Sequence, residues 1–170
     1  MLNFILAMAI ALTIGDKYMP YTTETKLSED LATNGALVHI DMDGNFTSIT
    51  PEEINLLNRV VMSEAGSQSI ETQEAVATVI LNRWLHPDKF PDTITGVITA
   101  EGQFSTADNG KPTVSVRTAV YNAIFYYNTE DQIIPSQVYY FRDSKYHTFG
   151  IPYCSMDNLY FSLDEGACID

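Results

Sequence analysis

The sequence predicts an α+β domain in which several helices come first and a small antiparallel β-sheet comes last, and three observations carry that prediction. Apolar residues recur at helical spacing at Ile54, Leu57 and Val61, and again at Val76, Val79, Ile80 and Trp84. After Pro135 the character changes to β-prone runs, Val138-Tyr-Tyr-Phe and Leu159-Tyr-Phe-Ser-Leu. At 170 residues, with 45% hydrophobic and 18% charged residues, the chain is long enough for one domain with a real core.

The elements follow in order. Residues 2–14 are almost purely apolar and end at Gly15-Asp16-Lys17. This run falls short of the roughly twenty residues that span a bilayer and fits the apolar stretch of an export signal, although no Lys or Arg precedes it. A buried N-terminal helix is the plainer reading of residues 1–15. Residues 16–35 are rich in Thr, Ser, Glu and Asp and read as a linker or arm, so the folded domain is expected over 36–170. Residues 36–42 and 46–49 flank Asp43-Gly44-Asn45, which is turn chemistry between two short strands. Thr50 then offers an N-cap hydroxyl, Pro51 the first helical position, and Glu52 and Glu53 acids for the positive end of the dipole. Gly66 offers the stop.

Ser69 can cap a second helix over about 70–85, ended by His86-Pro87. Residues 93–99 read as a short helical turn, and 100–112, with Gly102, Asn109 and Gly110, as a surface loop. Ser115 is expected to open a third helix reaching Tyr127, with Val116, Ala119, Val120, Ala123, Ile124 and Tyr127 inward. A long loop containing the tyrosine-rich stretch 146–153 is expected to join the two β-prone runs.

Composition excludes several functions. A net charge of −13, a pI of about 4.4 and no Lys/Arg cluster rule against a nucleic-acid groove. Asp41, Asp43, Asn45 and Glu52 fall at ligand positions of a calcium loop, but Phe46 occupies the place where the sharp turn needs glycine, and no helix precedes it. His39, His86 and His147 are isolated in sequence, so neither a metal nor any other cofactor is expected. Cys154 and Cys168 are compatible with a disulfide and equally with two reduced thiols. His147 and Cys154 share a loop, yet a cysteine nucleophile usually sits at a helix N-terminus, which leaves a peptidase as a distant alternative.

Glu64 is the candidate that carries chemistry. It falls on the apolar stripe of the first helix, near its C-terminal end, where burial and unpaired carbonyls both favour the protonated acid. Such a group can give a proton near neutral pH, as general acid cleavage of a glycoside requires. The plainer reading is a solvated carboxylate at a helix end. Glu71, Glu74, Glu101 and Asp108 are candidate second carboxylates, with Glu71 and Glu74 explained more simply as first-turn acids of the second helix.

Several blocks lie in a fixed order: Val60-Val-Met-Ser-Glu-Ala-Gly66, Gln73 through Arg83, Phe90 through Ile98, Gln103-Phe-Ser105, Tyr139-Tyr-Phe141 and Asn158-Leu-Tyr-Phe161. In order and spacing they resemble the cell-wall hydrolase family of the spore-cortex-lytic enzyme SleB, over about residues 54–163. The resemblance implies a small two-lobed lysozyme-like domain that cleaves peptidoglycan glycan strands as a lytic transglycosylase, with Glu64 as the catalytic acid/base. A muramidase-type hydrolase and a non-catalytic peptidoglycan-binding module are the alternatives.

Substrate contacts are expected from Gln103 and Phe104 in the surface loop, from Tyr140 in its strand and from Asn158. Phe104 also reads as a core anchor, Asn158 as a turn residue and Asn82 as a polar cap on a buried contact. The chain is expected to act as a monomer, exported or wall-associated. A spore, a vegetative cell and a phage lysin are all compatible sources.

Overall fold

A computed structural model describes residues 34–39, 46–104 and 111–166. The apolar stretch 1–15, most of the arm, the calcium-pattern residues Asp41, Asp43 and Asn45, and also Asp108 and Cys168, lie outside the described residues. Within them the architecture is α+β, with four helices between a two-stranded ribbon and a three-stranded antiparallel sheet.

The ribbon pairs β1 (Ala36–His39) with β2 (Phe46–Ile49), Ala36 opposite Ile49 and His39 opposite Phe46. Helix α1 (Pro51–Ala65) starts where its chemistry dictates. Thr50 and Glu53 form a reciprocal capping box, and Pro51 stands at the first position. Ile54, Leu57 and Val61 are buried along its inner stripe, as the periodicity predicts. Gly66 does close the helix, but in right-handed geometry (φ −60°, ψ −22°) and not through a left-handed cap. Glycine is needed there because a Cβ would come within 2.4 Å of the Met62 carbonyl oxygen.

Helix α2 (Ile70–Trp84), capped by Ser69, is the centre of the molecule. Every residue from Thr72 to Trp84 is buried, and not one face alone, because α1, the short α3 (Ile94–Thr99), α4 (Val114–Phe125) and β3 (Val138–Asp143) surround it. The cap of helix α4 falls two residues earlier than Ser115 suggests. Thr113 is the cap, accepting from the Val116 N–H at 3.2 Å, while the Ser115 hydroxyl points at α2. All six inward residues expected on this segment, including Tyr127 just past the helix, are buried.

The sheet holds a strand the sequence hides. β4 (Ile151–Met156) lies inside the expected loop, and the order is β3-β5-β4, with β5 (Leu159–Leu163) in the middle. Pro152 is tolerated because β4 is an edge strand. At Gly150, before it, φ is +78° and a Cβ would meet the Leu163 carbonyl oxygen at 2.6 Å, so only glycine lets the chain enter this strand. A register shift between Val138 and Tyr140 breaks the expected alternation in β3. Val138 and Tyr139 are both buried, whereas Tyr140 and Phe141 are both half-buried.

Candidate functional site

Glu64 is half-buried in the last turn of α1, a turn without a basic residue. The chain just beyond it is held from three sides. Gly66 N–H returns to the Met62 carbonyl at 3.1 Å, and Gln68 N–H to that of Ala65 at 2.9 Å. Gln73, in α2 and only 1% exposed, donates to the Gln68 carbonyl at 3.0 Å and accepts from Ser115 Oγ at 2.8 Å. A carboxyl on a helix whose exit is fixed by buried hydrogen bonds has a well-defined position, as an acid that must meet a substrate oxygen needs.

A second constellation gathers around Arg83, a residue that pattern reading passes over as part of a helix. Its side chain is 5% exposed at the C-terminal end of α2. Nε donates to the Tyr139 carbonyl at 2.7 Å and Nη1 to Gln103 Oε1 at 2.8 Å. The guanidinium carbon stands 5.0 Å from the Phe104 ring centre, 5.5 Å from Phe90 and 5.8 Å from Tyr140. Burial pushes its pKa down to about 10, which leaves it cationic at neutral pH. The neighbouring Asn82 donates to the carbonyls of Pro135 and Val138, both at 2.9 Å, so Asn82 and Arg83 together fasten β3 to α2.

A cleft of about 290 Å³ opens over this arrangement, with Arg83, Gln103, Tyr140 and Lys89 as its polar lining. Phe90, Pro91, Val97 and Ala100 supply apolar walls. The charges at its rim are paired with each other. Lys89 Nζ meets Asp164 Oδ2 at 2.6 Å, and that hydrogen bond and charge hold the Asp164 carboxyl below the usual range. Tyr140 in turn packs edge-on to Phe149 (5.2 Å), an exposed ring of the 146–153 segment.

Gln103, Phe104 and Tyr140 are thus brought together by one buried arginine, with Phe104 also against Phe141 at 6.1 Å. Asn158 stands elsewhere, in the exposed turn between β4 and β5, where its amide donates to Asp143 and lies 3.5 Å from Ser144 Oγ. Its neighbour Asp157 reaches across to α2. Oδ2 accepts from Ser69 N–H (2.8 Å), Ser69 Oγ (2.7 Å) and Thr72 Oγ1 (2.7 Å), at the positive end of the helix dipole.

The candidate second carboxylates separate. Glu71 is an exposed first-turn acid, and Glu101 is exposed too. Glu74 is not a first-turn acid: it lies farther along α2, 8% exposed, accepting from Asn122 Nδ2 of α4 at 3.1 Å. Burial raises its pKa to about 7, opposed by the Asn122 hydrogen bond and reinforced by the charge of Glu71. Among the described residues no group of three or more His, Cys, Asp or Glu side chains gathers as a metal site.

Comparison with known proteins bears on this geometry. The Cell Wall Hydrolase family profile matches residues 67–158, which include the Arg83 cleft but begin just after Glu64. The spore cortex-lytic enzyme of Oceanobacillus iheyensis is 37% identical over 92 residues, 46% of this chain and 33% of that protein. The spore cortex-lytic enzyme of Bacillus subtilis is 33% identical over 108 residues, 61% of this chain and 33% of that protein. The chain therefore spans about one third of the curated relatives it matches. The catalytic domain of the Bacillus cereus SleB protein superimposes with a TM-score of 0.55 at 23% identity, over 66% of this chain and 91% of that domain. The catalytic domain of the germination-specific lytic transglycosylase SleB from Bacillus anthracis gives 0.55 at 22% identity, over 67% and 96%. At these identities the superpositions show a shared fold.

Proposed function

The chain belongs to the cell wall hydrolase family, and from that premise we propose that it cleaves the glycan strand of peptidoglycan as a lytic transglycosylase, with Glu64 as its single general acid/base. The observation that carries this reading is the setting of Glu64: a half-buried carboxyl in the last turn of α1, on a helix exit clamped by buried Gln73. The names of the matched relatives, spore cortex-lytic enzymes and a lytic transglycosylase, support the substrate class.

In the mechanism, protonated Glu64 gives its proton to the glycosidic oxygen as the bond to the anomeric carbon breaks and an oxocarbenium-like transition state forms. The resulting carboxylate takes the proton from the C6 hydroxyl of the same muramic residue. O6 then bonds to the anomeric carbon, leaving a 1,6-anhydro end and restoring the acid. The attack is intramolecular, so the entropy of bringing in a nucleophile is already met. Among the described acids weighed as partners, the exposed Glu71 and Glu101 carry no sign of a built second site, and Glu74 is sealed between α2 and α4.

Gln103, Phe104 and Tyr140 serve as substrate contacts around Arg83, and Asn158 as a contact at the far turn. Identification of product ends by mass spectrometry tests the reaction type. Anhydro ends are expected; reducing muramic ends would mean hydrolysis, and free amino termini would overturn glycosidic cleavage altogether.

A further inference from the structure

Resting on that reading, we infer that Arg83 is a positioning residue that makes Gln103 a hydrogen-bond donor toward substrate, and that the cleft it lines takes the acetamido group of an N-acetylated sugar.

The argument starts from what an arginine can do. A guanidinium carries five N–H donors and no acceptor, so the Gln103 atom facing Nη1 at 2.8 Å has to be the amide oxygen. The usual ambiguity between amide oxygen and nitrogen is removed by chemistry. With Oε1 committed to a buried cation, the atom Gln103 turns outward is Nε2, which only donates. Arg83 is itself fixed, because Nε is spent on the Tyr139 carbonyl at 2.7 Å and three aromatic rings pack around it. The orientation of Gln103 is therefore built in before any ligand arrives.

The rest of the cleft adds apolar surface beside that donor. The Lys89 charge at the rim is paired with Asp164, and Arg83, though cationic, spends Nε and Nη1 on the Tyr139 carbonyl and Gln103. Pro91, Val97 and Ala100 line the same cleft and give a methyl group an apolar surface. A carbonyl oxygen to accept from Nε2, joined to a methyl that fills an apolar wall, is an acetamido group. A sugar hydroxyl could accept from Nε2 but would leave the apolar wall unmatched.

The test compares purified peptidoglycan with the same material after enzymatic de-N-acetylation and after chemical re-acetylation, reading both kcat/KM and co-sedimentation. The wild type is expected to favour the acetylated polymer about tenfold, the worth of one well-made hydrogen bond, and re-acetylation is expected to restore it. Gln103→Glu keeps a partner for Arg83, so the fold is retained, but turns an acceptor outward. Its preference should vanish or invert toward the de-acetylated polymer, whose ammonium can donate, with the change in KM and not in kcat. Arg83→Met, which frees the Gln103 amide to rotate, should lose part of the preference while Gln103 is intact. A well-folded Gln103→Glu with wild-type preference, or a wild type that retains both polymers equally, would overturn the inference. Absence of turnover on either polymer would instead overturn the cleavage reading, and co-sedimentation would still report on the cleft.

Discussion

Ser115 donates to Gln73 at 2.8 Å, and through that one bond the first turn of α4 is tied to the amide that holds the chain behind Glu64. Gln73 Nε2 completes the link on the Gln68 carbonyl at 3.0 Å, with the Gly66 carbonyl at 3.5 Å. Replacing Gln73 by Leu keeps the volume near constant and strips all three contacts from a side chain that is itself only 1% exposed. A loss of about 1–3 kcal/mol is expected in denaturant unfolding, from polar groups left unsatisfied. The same variant should lose kcat more than KM, because the exit of the Glu64 helix is what loosens. Unchanged stability would show that the amide is not the fastener.

Glu74 predicts a pH dependence of stability with an unusual sign. Its folded pKa is raised from 4.5 to about 7, so between those values the folded protein holds a proton that the unfolded chain has released. Stability contributed by this group is full below about 4.5, falls as pH rises through that window, and is lowest above 7. The cost by then is on the order of 3 kcal/mol. Glu74→Gln keeps an oxygen for Asn122 and removes the titration. It should match the wild type in acid and melt higher at pH 8. Parallel melting curves across pH for the two proteins would contradict this.

Asp157 behaves in the opposite way. Its carboxylate accepts three hydrogen bonds from Ser69 and Thr72 and is held below the usual range chiefly by them. Stability from this group is therefore present at neutral pH and lost as pH falls through the depressed folded value. Asp157→Asn retains a residue that tolerates φ 48° and removes the charge from the helix N-terminus. The variant should melt below the wild type at pH 7, with the gap closing in acid. A gap that persists in acid would mean that shape, not charge, is what the turn supplies.

Local chemistry was legible and long-range chemistry was not. Thr50 and Ser69 cap their helices as read because the side chain, the N–H it meets and the apolar stripe all lie within one turn. Ser115 looks like a cap by the same logic, but Gln73, far away in sequence, claims its hydroxyl, and the cap falls to Thr113. β4 is hidden in the sequence because Pro152 and Gly150 are loop signals unless a neighbouring strand makes an edge and a close approach of them. Gln103, Phe104 and Tyr140 could each be named, but not that Arg83 assembles them. The one available signal is a basic residue between Asn82 and Trp84 in a largely apolar helical run. Glu74 gives a similar hint, an acid beside Ala75, Val76 and Ala77, although a dipole partner explains it more simply from sequence alone.

The measurement that bears most directly on the account is turnover of purified peptidoglycan by Glu64→Gln, with co-sedimentation of the same variant on the same material. A single positioned acid/base predicts a loss of about 10²–10⁴-fold in kcat, the disappearance of anhydro ends, and retention on the polymer equal to the wild type. A Glu64→Gln protein that still releases anhydro products within a few-fold of the wild-type rate would place the chemistry on another residue.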